Sequence, residues 1–175
     1  NIPSDKTVSL YDAGCGEGSY LDRVCTLMTE AGFSVQGMGS DISKIAVELA
    51  SKAFKAHDFA VASSVNLPVG DQSLDAVMQV FAPGSTEEYA RVIRNEGILV
   101  TVDPAAQHLW SLKQHIYDTP KPHDEAHEIR EGFALTNDTR VAFDVPLTTE
   151  SQRLALLQMT PYFWKISDAV KSAIL

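Results

Sequence analysis

Residues 7–21 read TVSLYDAGCGEGSYL, a β-branched apolar run that ends in three alternating glycines and then turns amphipathic. Apolar residues continue at three- and four-residue spacing through Leu21, Val24, Cys25, Met28 and Ala31, which predicts a helix over 19–32 with Gly32 as its stop. Strand, tight glycine loop and helix form the opening unit of a βα alternation, and the next eighty residues repeat it. Strands are predicted at 34–42, 57–64, 73–83 and 97–104, with helices at 43–54 and 87–95 and Ser43 as the cap of the former. This rhythm implies an α/β fold, a mostly parallel doubly wound sheet with helices on both faces. Ligands in such sheets bind at the carboxyl ends of the strands, which is where the glycine loop lies.

From residue 105 the alternation lapses. The segment 106–118 (AQHLWSLKQHIYD) predicts a helix, 119–127 (TPKPHDEAH) a polar proline-broken loop, and 132–147 (GFALTNDTRVAFDVPL) strand material. The segment 148–164 opens as a helix with Thr149 as its cap.

The chain has 175 residues, enough for one domain with its own core, and the whole span 1–175 is expected to act as one. At 45% hydrophobic and 21% charged it has the composition of a soluble globular protein, and no run approaches the roughly 20 apolar residues of a membrane span. Two cysteines, Cys15 and Cys25, make neither a disulfide framework nor a zinc site and fit a reducing, cytoplasmic setting. The formal net charge of −9 speaks against a large phosphate-binding surface carried by the chain as a whole. The chain opens on Asn1, which suggests a piece of a longer protein.

The glycine loop narrows the ligand. A nucleoside-triphosphate loop needs G-x-x-x-x-G-K-[ST], and neither that spacing nor the Lys is present. A dinucleotide loop needs G-x-G-x-x-G, whereas Gly14, Gly16 and Gly18 stand one residue short of it, and Glu17 would repel a pyrophosphate. A nucleoside ligand with an ammonium group and no phosphate suits the same loop. Asp12 can lie near that ammonium. Asp41, at the end of the second strand, can accept both ribose hydroxyls or act merely as a helix cap. Ala62 and Ser63 follow the third strand, where an adenine would rest on backbone, and Phe81 follows the fourth.

The run Asp12-Ala13-Gly14-Cys15-Gly16-Glu17-Gly18 resembles the first motif of Rossmann-like class I methyltransferases, whose cofactor is S-adenosyl-L-methionine and whose product is S-adenosyl-L-homocysteine. With DISK (41–44), VASSVNLP (61–68), LDAV (74–77), FAP (81–83), HLWSLKQHIY (108–117), EGFAL (131–135) and LLQMTP (156–161) in that order, the chain resembles the bacterial large-subunit (23S) rRNA guanine-N1 methyltransferases from about residue 8 to 165. HLWSLKQHIY and LLQMTP carry the specific part of that likeness. The resemblance implies cofactor contacts at Gly16, Glu17 and His108, and Ile42, next to Asp41 in the chain, is a further candidate cofactor contact. It also implies a four-cysteine zinc module ahead of this chain and a last strand beyond it. The partner it implies is large-subunit rRNA, with no membrane. Members of that group can dimerise, so a homodimer is an admissible assembly.

The chemistry would be attack of a ring nitrogen on a sulfonium methyl, in which the protein aligns the reactants and excludes water. Guanine N1 must lose a proton, and Asp103 and His108 are candidate bases, with Glu17 and His115 behind them. Pro83 stands where related enzymes hold the target base, and Trp110 and Tyr117 can stack on it or simply pack in a core. His123 and His127 share a helical spacing, yet their polar loop setting reads as solvated, so no metal is expected. Two other functions stay open: a small-molecule methyltransferase of the same fold, favoured by the acidic balance, and a cofactor-binding domain that does not catalyse.

Overall fold

The structure is a computed structural model that describes residues 6–124 and 130–175. The chain divides into two compact units, one comprising residues 1–103 and 128–135 and the other 104–127 and 136–175.

The first unit is a five-stranded sheet in which every pairing is parallel. In chain order it contains β1 (Thr7–Ala13), α1 (Ser19–Glu30), β2 (Ser34–Asp41), α2 (Lys44–Ala53), β3 (Asp58–Val61), β4 (Leu74–Val80), α3 (Thr86–Val92) and β5 (Ile93–Val102). Across the sheet the order is β3-β2-β1-β4-β5. The winding therefore reverses between β1 and β4, which puts the ligand-binding crevice at their carboxyl ends. The expected α/β doubly wound fold is the fold observed.

Period-two alternation along β1 builds a core on each face. Tyr11 and Ala13 point to one side, where they meet Leu67, Leu74, Val77, Tyr89, Val92 and Ile93. Leu10 points to the other and meets Leu21 and Cys25 of α1 together with Met78. Leu21 and Cys25, four apart, are the buried stripe of α1, as the helical spacing demands. Arg130 lies 6.0 Å over the ring of Tyr89, and Phe133 packs on the same core, so the chain returns to this unit after 128.

The helix expected over 87–95 ends at Val92, and the last strand starts at Ile93 rather than at 97. Ile93 is buried and pairs with Leu74, the ladder is irregular between there and the Ala76–Ile98 pair, and Glu96 takes a positive φ of 63°. An i+3 spacing of apolar residues had favoured helix; pairing and burial of Ile93 outweigh it.

The second unit contains α4 (Trp110–Ile116), α5 (Glu150–Gln158) and α6 (Asp168–Ile174). The helix expected over 106–118 is thus only its central part, because Leu109 adopts a left-handed conformation (φ 53°) just before it. Thr149 caps α5 as expected, with Gln152 completing a reciprocal capping box. No strand forms in 132–147. Val141, Phe143 and Val145 alternate as a strand would, but all three are more than 60% exposed. Alternation without a partner ladder leaves their backbone groups unpaired within a sheet, so the pattern alone does not produce the strand.

Candidate functional site

The glycine loop sits at the reversal point of the sheet. Gly14 and Cys15 both donate their backbone N–H to the carbonyl of Ser40 at 2.9 Å, which ties the loop to the end of β2. Asp41 reinforces that tie. One carboxylate oxygen accepts from Gly16 N at 2.9 Å and the other from Ser43 N at 2.8 Å. The helix cap itself is Ser43, whose hydroxyl accepts from Ala46 N. Asp41 is therefore a bridge between the first and second strand ends rather than the cap of α2. Each of its oxygens has a second lone pair to offer a ribose hydroxyl.

Asp12 lies beneath the loop and is 1% exposed. Its Oδ1 has no hydrogen-bond partner. Burial first, and the neighbouring Asp41 charge second, push its carboxyl up to about 7. A buried acid without a partner is costly to ionise alone, and a nearby cation would stabilise its carboxylate form. Burial likewise pushes the Cys15 thiol up to about 12, so it is a packing residue and not a nucleophile.

The three glycines have different jobs. A Cβ on Gly14 would stand 2.4 Å from the Cβ of Ala82, and one on Gly18 would stand 2.9 Å from the Phe59 ring. A Cβ on Gly16 would meet nothing within 4 Å. Gly16 thus presents bare backbone to open space, while Gly14 lets the β4 loop close onto the β1 loop. Glu17 folds back on the start of α1, where its carboxylate accepts from Ser19 N at 3.0 Å and Ser19 Oγ at 2.7 Å. It serves in place of the side-chain cap that Gly18 cannot provide.

The rest of the crevice comes from the neighbouring strand ends. Ile42 is 80% exposed, an apolar side chain left at the tip of β2. Ala62 donates its N–H to the carbonyl of Asp41 at 3.1 Å, so Ala62 and Ser63 stay alongside it. Phe81 donates its N–H to the Val102 carbonyl at 3.0 Å and holds a positive φ of 51°, a strained conformation for an aromatic residue. Pro83 is exposed in the same loop.

Two residues that shape this loop escaped the sequence reading. Gln79 is 3% exposed, donates to the carbonyl of Ala82 at 2.5 Å and accepts from the hydroxyl of Tyr89 at 3.0 Å. A Cβ on Gly84 would strike that same hydroxyl. The signal was a lone amide in the apolar strand AVMQVF (76–81). Gln79→Met is expected to lose roughly 1–3 kcal/mol in chemical denaturation, because it strands a buried hydroxyl and a carbonyl. Adding Tyr89→Phe should recover part of that loss; strict additivity of the two changes would show that the pair is not coupled.

Asp103 lies exposed just after β5 in this unit. His108, Trp110 and Tyr117 belong to the second unit. There His108 lies in the turn before α4, 6.0 Å ring to ring from His123, Trp110 opens α4, and Tyr117 follows it, edge-on to Tyr162 at 5.9 Å. The His123–His127 pair cannot be placed, since His127 lies outside the described residues. Among the described residues no group of three His, Cys, Asp or Glu is arranged to hold a metal, and no helix is long and apolar enough to cross a membrane.

Comparison with known proteins accords with this geometry. A protein of Bacillus subtilis (strain 168) named "Putative 23S rRNA (guanine-N(1)-)-methyltransferase YxjB" is 34% identical over 160 residues, 89% of this chain and 56% of its own. The Streptomyces fradiae protein named 23S rRNA (guanine(748)-N(1))-methyltransferase is 35% identical over 104 residues, 59% of this chain and 36% of its own. The chain thus spans about half the length of the first relative and less of the second. Among solved structures, the CMeT domain of the citrinin polyketide synthase superposes with a TM-score of 0.52 at 21% identity, covering 61% of this chain and 31% of that one. That likeness is one of fold. The family model described as "Methyltransferase domain" matches residues 4–153, from the first strand through the start of α5. On that match the chain belongs to the methyltransferase-domain family.

Proposed function

We propose that this protein transfers the methyl group of S-adenosylmethionine to N1 of a guanine in large-subunit ribosomal RNA. The observation that carries the cofactor half is the dry, partnerless Asp12 oxygen under a loop whose middle glycine faces open space. It suits a ligand with an ammonium group and no phosphate. Asp12 would meet the ammonium, directly or through water, and Gly14, Gly16, Glu17 and Gly18 would line the methionine part. Asp41 would take the ribose hydroxyls, with Ile42, Ala62 and Ser63 against the adenine and Phe81 over the sulfonium. His108 enters only by resemblance. The bound cofactor supplies an activated methyl on a positively charged sulfur. The protein's share is to hold the guanine in line and to keep water out, with Pro83 of the sheet unit, and Trp110 and Tyr117 of the second unit, each a candidate RNA contact. Asp103 and His108 remain the candidates to take the N1 proton.

The RNA half is supported by the two relatives, one of whose likeness runs through 89% of the chain and so through both units. Charge no longer argues against it. The unit of 104–127 and 136–175 carries six Lys and Arg against seven Asp and Glu, while the sheet unit carries eight against sixteen. The acidity is concentrated where a cation binds, and the second unit is nearly neutral.

The test is transfer from tritiated S-adenosylmethionine to large-subunit rRNA taken from a strain lacking the native modification. Labelled 1-methylguanosine is the expected nucleoside. Label recovered only in small molecules would replace this reading with a small-molecule methyltransferase, and cofactor binding without transfer would leave a binding domain.

A further inference from the structure

The second unit holds a cavity of about 380 Å³ lined by Lys113, Tyr117, Thr119, Lys121 and Tyr162. Its size falls in the range of ligand sites, roughly 300–1,000 Å³. Its chemistry is unusual for a structural gap. Lys113 is only 5% exposed, and its ammonium donates to the backbone carbonyl of Lys121 at 3.1 Å. Among the described residues no carboxylate pairs with Lys113 or Lys121. An ammonium has three donors, and a buried one without a counter-ion is costly unless an anion completes it. Pro120 and Pro122 flank Lys121 and fix the backbone on either side, so the second cation is carried on a stiffened loop. Tyr117 meets Tyr162 edge-on at 5.9 Å yet stays 43% exposed, which leaves ring surface for a base. His123 stands near Lys113, and burial together with that lysine holds its imidazole below the usual range. At neutral pH the positive charge of this corner therefore comes from the lysines.

We propose that this cavity binds a nucleotide of the single-stranded RNA substrate, its phosphate between the Lys113 and Lys121 ammonium groups and its base against Tyr117. The assignment rests on the RNA reading above, since RNA brings both the phosphate and the splayed base. It makes the nearly neutral unit, rather than the acidic sheet, the part that grips the polyanion.

Binding of a fluorescein-labelled oligouridylate, followed by anisotropy across a salt series, tests it. Lys121→Met keeps the carbonyl that Lys113 uses and removes one exposed cation, so misfolding is not a concern. It should weaken binding and lower the log–log salt slope by about 0.7. Tyr117→Ala should weaken binding roughly fivefold or more with the slope unchanged. Lys113→Met should lower the slope as Lys121→Met does, with circular dichroism as the check on its fold. Wild-type affinity and slope in both Lys121→Met and Tyr117→Ala would overturn the proposal. Failure of the reaction reads differently. If wild-type protein binds the oligonucleotide through these residues but forms no 1-methylguanosine, the pocket stands and the reaction falls. If the two variants methylate rRNA with wild-type KM, the reaction stands and the pocket falls.

Discussion

Asp12→Asn is expected to weaken S-adenosylmethionine binding by roughly 10- to 100-fold, the loss of a hydrogen bond to a charged partner in a dry site. It should also abolish a pH dependence that the wild-type protein shows. The Asp12 carboxyl is pushed up to about 7, by burial first and by Asp41 second. A cationic ligand favours the ionised form, so wild-type affinity should rise by about tenfold between pH 6 and pH 8 and then level off. Calorimetric titration at several pH values reads this directly, and proton uptake or release by the buffer gives a second reading of the same group. Stability of the ligand-free protein should move the opposite way. Asp12 holds its proton more tightly when folded than when unfolded, where its carboxyl has the ordinary value of 3.8. Its contribution is therefore fully present below about pH 4 and is lost as the pH rises to about 7, a difference of roughly 4 kcal/mol. Asn is isosteric with the neutral acid. At pH 8 the variant should melt higher than wild type by roughly 8–16 °C, while at pH 4 the two should coincide. A variant that binds less cofactor yet is more stable is hard to produce by damage to the fold. Parallel pH profiles for the two proteins would remove Asp12 from this role.

That pair of opposed effects also marks what a sequence can and cannot disclose. Asp12 was legible as a candidate because strand, loop and helix follow one another in so few residues. Its buried, partnerless oxygen was not, since burial depends on the place of Asp12 in β1 between β2 and β4, which only the fold supplies. The parallel α/β sheet followed from alternating periods, and the cap at Thr149 followed from its own local chemistry. Strand material at 132–147 misled for the converse reason: Val141, Phe143 and Val145 have the right local pattern, but a strand needs a partner that local pattern does not supply. Gln79 was passed over as one polar residue in an apolar run. Its importance lies in Tyr89 and Ala82, ten and three residues away, which converge on it only when α3 packs against β4. Likewise nothing local to Lys113 shows that it is buried, only 5% exposed in the folded chain.

Gly14→Ala and Gly16→Ala should fail in different ways, although the spacing G-x-G-x-G treats the two positions alike. Gly14 has φ +89°, and an added Cβ would lie 2.4 Å from the Cβ of Ala82. Neither atom is at the end of a flexible side chain, so backbone must move. Left-handed strain of roughly 1–2 kcal/mol and overpacking of roughly 1–3 kcal/mol add to a loss of about 2–5 kcal/mol. Gly16 has φ +54°, inside the left-handed region that an Ala can enter at modest cost, and an added Cβ touches nothing. Its unfolding free energy should drop by only about 1–2 kcal/mol. The new methyl would instead project into the open space where the proposed site puts the cofactor, at the loop that Asp41 anchors through Gly16 N. There the expected loss is in S-adenosylmethionine affinity, by 10-fold or more, since a ligand that needs bare backbone cannot approach past a methyl group. Urea denaturation and calorimetric titration on the same two proteins separate the cases. If Gly16→Ala binds the cofactor as wild type does, the ligand does not lie against this glycine, and the opening at the centre of the loop belongs to the turn alone.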